Sequence, residues 1–419
     1  MKKIVINGGH KLDGCVNLQG SKNSALPILA ATVAVNGVSV IHNCPELTDI
    51  TAAIKILSHT GCKVRREGHT VIVDASDICR CDIPENLMRE MRSSIVFLGS
   101  LLARFGKGSV TPPGGCEIGL RPIDLHLSAL NSMGVSICEN AGKLECEARK
   151  GIKGGSVCLS FPSVGATENI LLAAVTAECE TVLTNAAREP EIIDLADFLN
   201  KCGAKIKGAG QSVIHITPVK KLTPAEHKII PDRIVASTYM ACAAAAGGMI
   251  AVKDVVREHI SPVIPIFEAS GCRVFGGENE LIVKAPERPS RIRYLRTMPY
   301  PGFPTDSQAI IMAMLARANG TSVITEKIFE NRFRHVPELI KMGADIRVEN
   351  GSVAVVEGVA NLVGAGVCAT DLRGGCALAV AATGARGETV ISDIHHIDRG
   401  CESFELNLSR LGADAKRTE

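Results

Sequence analysis

Six glycines, Gly61, Gly134, Gly203, Gly271, Gly343 and Gly412, recur at intervals of 73, 69, 68, 72 and 69 residues. Each ends an amphipathic stretch (Leu57, Leu130, Leu199, Phe267, Leu339 and Leu408 begin the last turns) and leads directly into a short strand such as Lys63-Val64-Arg65-Arg66. A fixed period of this length means that one supersecondary unit is repeated along the chain. Within a unit, a strand such as Thr181-Val182-Leu183-Thr184 passes through a polar turn into a helix. Glycine then stops the helix, because it tolerates the left-handed conformation of a C-terminal cap. A β-hairpin follows, for example Lys63–Arg66 with Thr70–Val73. A second helix in each unit is apolar and Ala-rich: 24–35, 93–105, 167–177, 237–246, 307–318 and 375–383.

Gly412 lies seven residues before the last residue, too few for another hairpin. The strand Lys3-Ile4-Val5-Ile6 is therefore expected to complete the sixth unit. The units then group as three and three, with one domain over 21–229 and the other over 1–20 plus 230–419. Two crossings between them predict a hinge and a cleft, a common place for a ligand.

Composition narrows the function. Hydrophobic residues make up 46% of the chain and charged residues 21%, as in a globular protein with a substantial core. A net charge of +2, no Trp and three Tyr argue against nucleic acid and against an anionic membrane surface. The longest apolar run, 239–252, is 14 residues with Gly247-Gly248 inside it, short of the roughly 20 that a span requires. The segment Met1–Gly9 lacks the apolar core of a signal peptide, so a cytoplasmic location is expected. Sixteen Cys without a Cys-x-x-Cys pair then read as reduced thiols, mostly small buried hydrophobes, and no metal or cofactor is expected.

Five clusters carry chemistry. In Gly20-Ser21-Lys22-Asn23-Ser24, Lys22 stands beside a helix start, either as a solvated side chain or as an anion ligand. Arg89 and Arg92 lie one turn apart, so one can face a ligand while the other is solvated. The loop Pro112-Pro113-Gly114-Gly115-Cys116-Glu117-Ile118-Gly119 reads as a mobile lid. Its thiol is largely protonated at neutral pH, either inert or able to act as acid and nucleophile. In Tyr300-Pro301-Gly302-Phe303-Pro304-Thr305-Asp306, Asp306 reads as an N-cap or as a general base. Arg332, Arg373 and Arg399 each lie near a helix start, where guanidinium groups suit carboxylate and phosphate.

Gly20–Asn23, Pro113–Cys116, Arg121–His126, Asn185–Glu191, Phe303–Asp306, Ile328–Phe333 and Ala369–Arg373 together resemble the UDP-N-acetylglucosamine enolpyruvyl transferase family along the whole chain. The resemblance implies a two-domain inside-out α/β barrel with three repeats per domain, in agreement with the sixfold period. It implies transfer of the enolpyruvyl group of phosphoenolpyruvate to the 3′-hydroxyl of UDP-N-acetylglucosamine, with release of phosphate, as the first committed step of peptidoglycan synthesis. Carried over residue by residue, Cys116 is the acid and transient nucleophile, and the target of the epoxide fosfomycin, while Asp306 is the base. Lys22, Arg121 and Arg399 hold the phosphate, Arg332 and Arg373 face the carboxylate, and Asn23 lies between the two substrates. The UDP-sugar side is lined by Asn23, Arg92, Arg121, Pro122, Ile123, Asp124, Leu125, Ser163, Val164, Gly165, Asp306 and Ile328. Two departures stand out: Phe161-Pro162 precedes Ser163 where some members carry a basic residue, and Gly374-Gly375-Cys376 follows Arg373. The sister family acting on shikimate 3-phosphate shares the repeats but lacks a lid Cys.

Overall fold

The computed structural model of the chain describes residues 2–113 and 123–419. All six period-setting glycines have positive φ, between 85° at Gly134 and 104° at Gly61. At each one the following amide bonds the carbonyl five residues back, as in Cys62 to Leu57 at 3.0 Å and Ala413 to Leu408 at 3.0 Å. This six-to-one bond closes a Schellman cap, and an L-residue with a Cβ is strained at the left-handed position it requires.

The strands form six four-stranded sheets of one design. In each, a parallel pair is extended by two antiparallel strands. Gly155–Cys158 runs parallel to Thr181–Thr184, which is antiparallel to Val213–Thr217, itself antiparallel to Lys205–Lys207. Burial alternates along the strands, as in Val213–Thr217 and Lys143–Glu147, so each sheet turns one face to a core and one to water. The strand Lys3–Gly8 lies between Gly387–Ser392 and Asp414–Thr418, so the first strand does complete the sixth sheet.

The chain divides into two compact units, 2–19 with 231–419 and 20–113 with 123–230. Each has its own hydrophobic core. Inside each lie three apolar helices, with the sheets outside. In the second unit these are α1 (Lys22–Ala31), α2 (Phe97–Phe105) and α3 (Val164–Ala174), with α2 packed on both of the others. In the first unit, α4 (Arg233–Ala246), α5 (Thr305–Leu315) and α6 (Leu372–Gly384) pack against one another.

Five of these helices begin two to four residues earlier than their apolar stretches suggest, and most of the early starts are set by polar caps. Asp232 accepts from the amides of Ile234 and Val235, Asp371 from Arg373 and Gly374, and Ser163 from Ala166. The exception is α2, which is preceded by a 3-10 turn over Arg92–Val96. The early starts place Lys22, Val164, Arg233, Asp306 and Arg373 in the first turns of their helices. In α1, α4, α5 and α6 the one charged side chain thus stands in the first turn, where amides and the helix dipole favour an anion.

Candidate active site

The centre of the first unit is a carboxylate between cations. Oδ1 of Asp306 accepts from Nη2 of Arg332 at 3.1 Å and from Nε of Arg373 at 3.2 Å. Both guanidinium groups are buried, with side chains 3% and 7% exposed, whereas Asp306 keeps 31%. Arg332 also donates twice to the Thr305 carbonyl, at 3.0 and 3.3 Å, which fixes its plane. Desolvation pushes the Asp306 carboxyl upward, but Arg373, Arg332 and Arg233 outweigh it and hold the group far below the ordinary carboxylate range. In return Asp306 holds Arg373 charged against its own desolvation.

Asp306 therefore is not the cap of its helix. Pro304 occupies that position, and Asp306 is the second residue of α5. Arg233, absent from the residues expected from sequence, is the third cation. It is 8% exposed, stacks 5.3 Å from the Tyr300 ring and faces Asp306. The signal for it was positional, because Arg233, Asp306 and Arg373 occupy the first turns of the three equivalent helices.

Arg399 ends the 3-10 turn Ile394–Arg399, which packs on α6. The second of the two glycines after Arg373 allows that approach. A Cβ on Gly375 would lie 2.7 Å from Cγ1 of Ile397, and one on Gly374 would lie 2.8 Å from the Asp371 carboxylate. The Gly-Gly departure thus serves helix packing. Ile328 follows the strand Thr321–Thr325, and its amide is held by Glu326 at 2.7 Å.

In the second unit, Lys22 is the first residue of α1 and pairs with Oδ2 of Asp49 at 3.2 Å. Asn23 follows it in the same turn. Arg92 donates to the Pro113 carbonyl at 3.2 Å, whereas Arg89 is exposed and paired with Glu85. Ile123 precedes the helix Asp124–Ser132, which begins with Asp124 and Leu125. Ser163 caps α3, and Val164 and Gly165 form its first turn. Cys116, Arg121 and Pro122 lie outside the described residues. Among the described residues, no three His, Cys, Asp or Glu side chains are grouped as a metal site would require.

Within each unit, then, cations and amides gather at the N-terminal ends of the interior helices, and in the first unit they surround one ionised carboxylate. Such an array can bind an anion bidentately and accept a proton from a neutral hydroxyl.

The family model described as EPSP synthase (3-phosphoshikimate 1-carboxyvinyltransferase) matches residues 6–408. The chain is 51% identical over 417 residues to "UDP-N-acetylglucosamine 1-carboxyvinyltransferase 2" of Caldanaerobacter subterraneus, covering 100% of both chains. It is 46% identical to a UDP-N-acetylglucosamine 1-carboxyvinyltransferase of Geobacter metallireducens, again over 100% of both. Among solved structures, the enolpyruvyl transferase NikO from Streptomyces tendae superimposes with a TM-score of 0.89 at 25% identity, covering 100% of this chain and 99% of that one. The EPSP synthase from Acinetobacter baumannii shares the fold at a TM-score of 0.76 and 18% identity, with 100% of both chains covered.

Proposed function

We infer that the chain, which belongs to the enolpyruvyl transferase family, transfers the enolpyruvyl group of phosphoenolpyruvate to the 3′-hydroxyl of UDP-N-acetylglucosamine. The observation that carries this reading is full-length identity of 45–51% to relatives that bear that activity in their names. By the same reading the reaction is the committing step of peptidoglycan synthesis and takes place in the cytoplasm. No helix among the described residues is long and apolar enough to cross a membrane.

The roles follow from charge and reach. Asp306, ionised between its arginines, takes the proton of the sugar hydroxyl as that oxygen bonds to C2 of phosphoenolpyruvate. Cys116 protonates the methylene carbon, and its thiolate also supports a covalent phospholactoyl adduct. Arg332 and Arg373 face the substrate carboxylate, with Arg233 adding to the same field. Lys22, Arg121 and Arg399 bind the phosphate. Charge in the tetrahedral intermediate is then stabilised by donors already in place. Return of a methyl proton to the Cys116 thiolate, with cleavage of the C2–O bond to phosphate, restores the double bond and releases phosphate. Asn23, Arg92, Ile123 to Leu125, Ser163 to Gly165 and Ile328 line the UDP-sugar.

The test is phosphate release from phosphoenolpyruvate by the purified chain. Release is expected only when UDP-N-acetylglucosamine is present. No release with that sugar, or equal release with shikimate 3-phosphate, overturns the reading.

A further inference from the structure

Glu326 is 2% exposed, and each of its partners is a neutral donor. Oε1 accepts from the Thr297 hydroxyl at 2.9 Å and from the amides of Ile328 at 2.7 Å and Phe329 at 3.2 Å. Oε2 accepts from the Thr305 hydroxyl at 2.9 Å. A buried carboxyl is costly unless its oxygens are hydrogen-bonded, and both are, with three donors on Oε1 and one on Oε2. A glutamine offers one acceptor oxygen, and its NH2 group either meets the amides head-on or makes Thr305 turn its hydroxyl from donor to acceptor.

The partners matter more than the count. Thr305 immediately precedes Asp306 and is clamped at both ends, its hydroxyl by Glu326 and its carbonyl by Arg332. Ile328 is a residue of the sugar side, and the Phe329 ring lies 5.8 Å beneath the Arg332 guanidinium. One buried carboxylate therefore ties the backbone that aims Asp306 to the backbone of Ile328, with Arg332 between them.

We propose that Glu326 is a positioning residue that locks Asp306 and Ile328 in one fixed geometry, so that the sugar hydroxyl is presented to its base. This rests on the reading of Asp306 as base and of UDP-N-acetylglucosamine as acceptor. The two arms of the lock separate by mutation. T305V removes only the Asp306 arm, and T305S restores the hydroxyl. E326Q disturbs both arms.

Steady-state kinetics with phosphoenolpyruvate and UDP-N-acetylglucosamine are compared for T305V, T305S, E326Q and E326Q/T305V. T305V is expected to lose about tenfold or more in kcat with the sugar KM within about twofold, and T305S to recover most of the loss. E326Q is expected to lower kcat and also raise the sugar KM. The double variant should be no slower than E326Q, since the two act through one contact. A T305V enzyme at full rate, or kcat losses that multiply in the double variant, overturns the proposal. So does a change in the shape of the kcat–pH profile of E326Q, which would place Glu326 in proton transfer itself.

Hydrogen exchange gives a readout independent of activity. The amides of Ile328 and Phe329 should exchange faster in E326Q and not in T305V, and unchanged protection in E326Q refutes the lock. A D306N control that stays fully active would instead remove the general-base reading, leaving the exchange result to decide the lock. T305V replaces a hydroxyl by a methyl of similar size, so the comparison survives if E326Q fails to fold.

Discussion

Arg373 donates from Nε to Oδ1 of Asp306 at 3.2 Å, joining two residues 67 positions apart at equivalent points of successive repeats. Arg332 shares the same oxygen at 3.1 Å, so both guanidinium bonds fall on Oδ1. A carboxylate so placed stays ionised far below neutrality. Its folded pKa is depressed, so its contribution to stability is present above the unfolded value of about 3.9 and is lost only as pH falls through the folded value. From pH 5 to 9 Asp306 does not titrate. The pH profile of kcat/KM should therefore contain no acid limb that D306N removes. D306N should lower kcat by roughly 10²–10⁴, the usual worth of a positioned base, at every pH in that window. A D306N profile that differs in shape would show that Asp306 titrates during the reaction after all.

Much of the fold could be read from six glycines. A left-handed cap is a local requirement that almost only glycine meets, so its spacing survives in the sequence as a period. The closing of the sixth sheet by Lys3–Gly8 followed from counting the residues left after Gly412. Charged side chains at helix starts were harder to read, since a lone Arg in a polar turn looks like surface. Arg233 was missed for that reason, and Glu326, just after the strand Thr321–Thr325, carries no local signal at all. The partners that make them special, Asp306 for one and Thr305 with Ile328 for the other, are brought in by packing and not by neighbouring sequence. Asp306 itself was half legible: its segment was found, but its place inside the helix depended on Pro304 taking the cap.

Lys22 and Asp49 form a largely buried ion pair, with side chains 11% and 5% exposed. Asp49 lies on the helix Thr48–Thr60, which packs on α1 and thereby sets where the ammonium group points. D49N keeps the shape and removes the charge. It should raise the phosphoenolpyruvate KM by roughly tenfold, as expected for loss of a charge-assisted hydrogen bond, and leave the UDP-sugar KM nearly unchanged. Thermal stability should fall as well, because one partner of a buried pair is left without its counter-charge. A lower KM for phosphoenolpyruvate in D49N would mean that Asp49 competes with the phosphate for Lys22 and does not aim it.

Glu168 on α3 is 5% exposed, and burial first, then Glu191 and Glu189, push its carboxyl well above the ordinary range. Its folded pKa exceeds the unfolded value of about 4.3, so the native state binds the extra proton between the two. The stability this confers is complete below the unfolded value and is lost as pH rises through the folded one. E168Q mimics the protonated acid. Its melting temperature should match that of the parent near pH 4 and exceed it at pH 8 by about 2 °C or more, the change that roughly 1 kcal/mol produces in a unit of this size. Calorimetry at the two pH values measures this directly, and a gap that does not widen with pH would rule out the protonated-acid account.

Burial pushes Cys62 and Cys146 up to about 11 and Cys202 up to about 12 and also raises Cys242, while the hydrogen bond with Cys376 and then burial raise Cys401, so these groups carry almost no thiolate at pH 8. Among the described residues, Cys15, Cys79, Cys138, Cys158 and Cys179 are exposed and so remain the competitors of Cys116. None of the five lies in the first turn of an interior helix, where cations and amides lower a thiol pKa and hold an anionic reagent. Fosfomycin is an anionic epoxide whose ring opens as a thiolate forms a carbon–sulfur bond. Intact-mass analysis should show a single adduct on the parent chain and none on C116S, and prior UDP-N-acetylglucosamine should change the labelling rate. An adduct that persists on C116S would move the reactive centre to one of the five exposed thiols and remove the reason for assigning the acid role to Cys116.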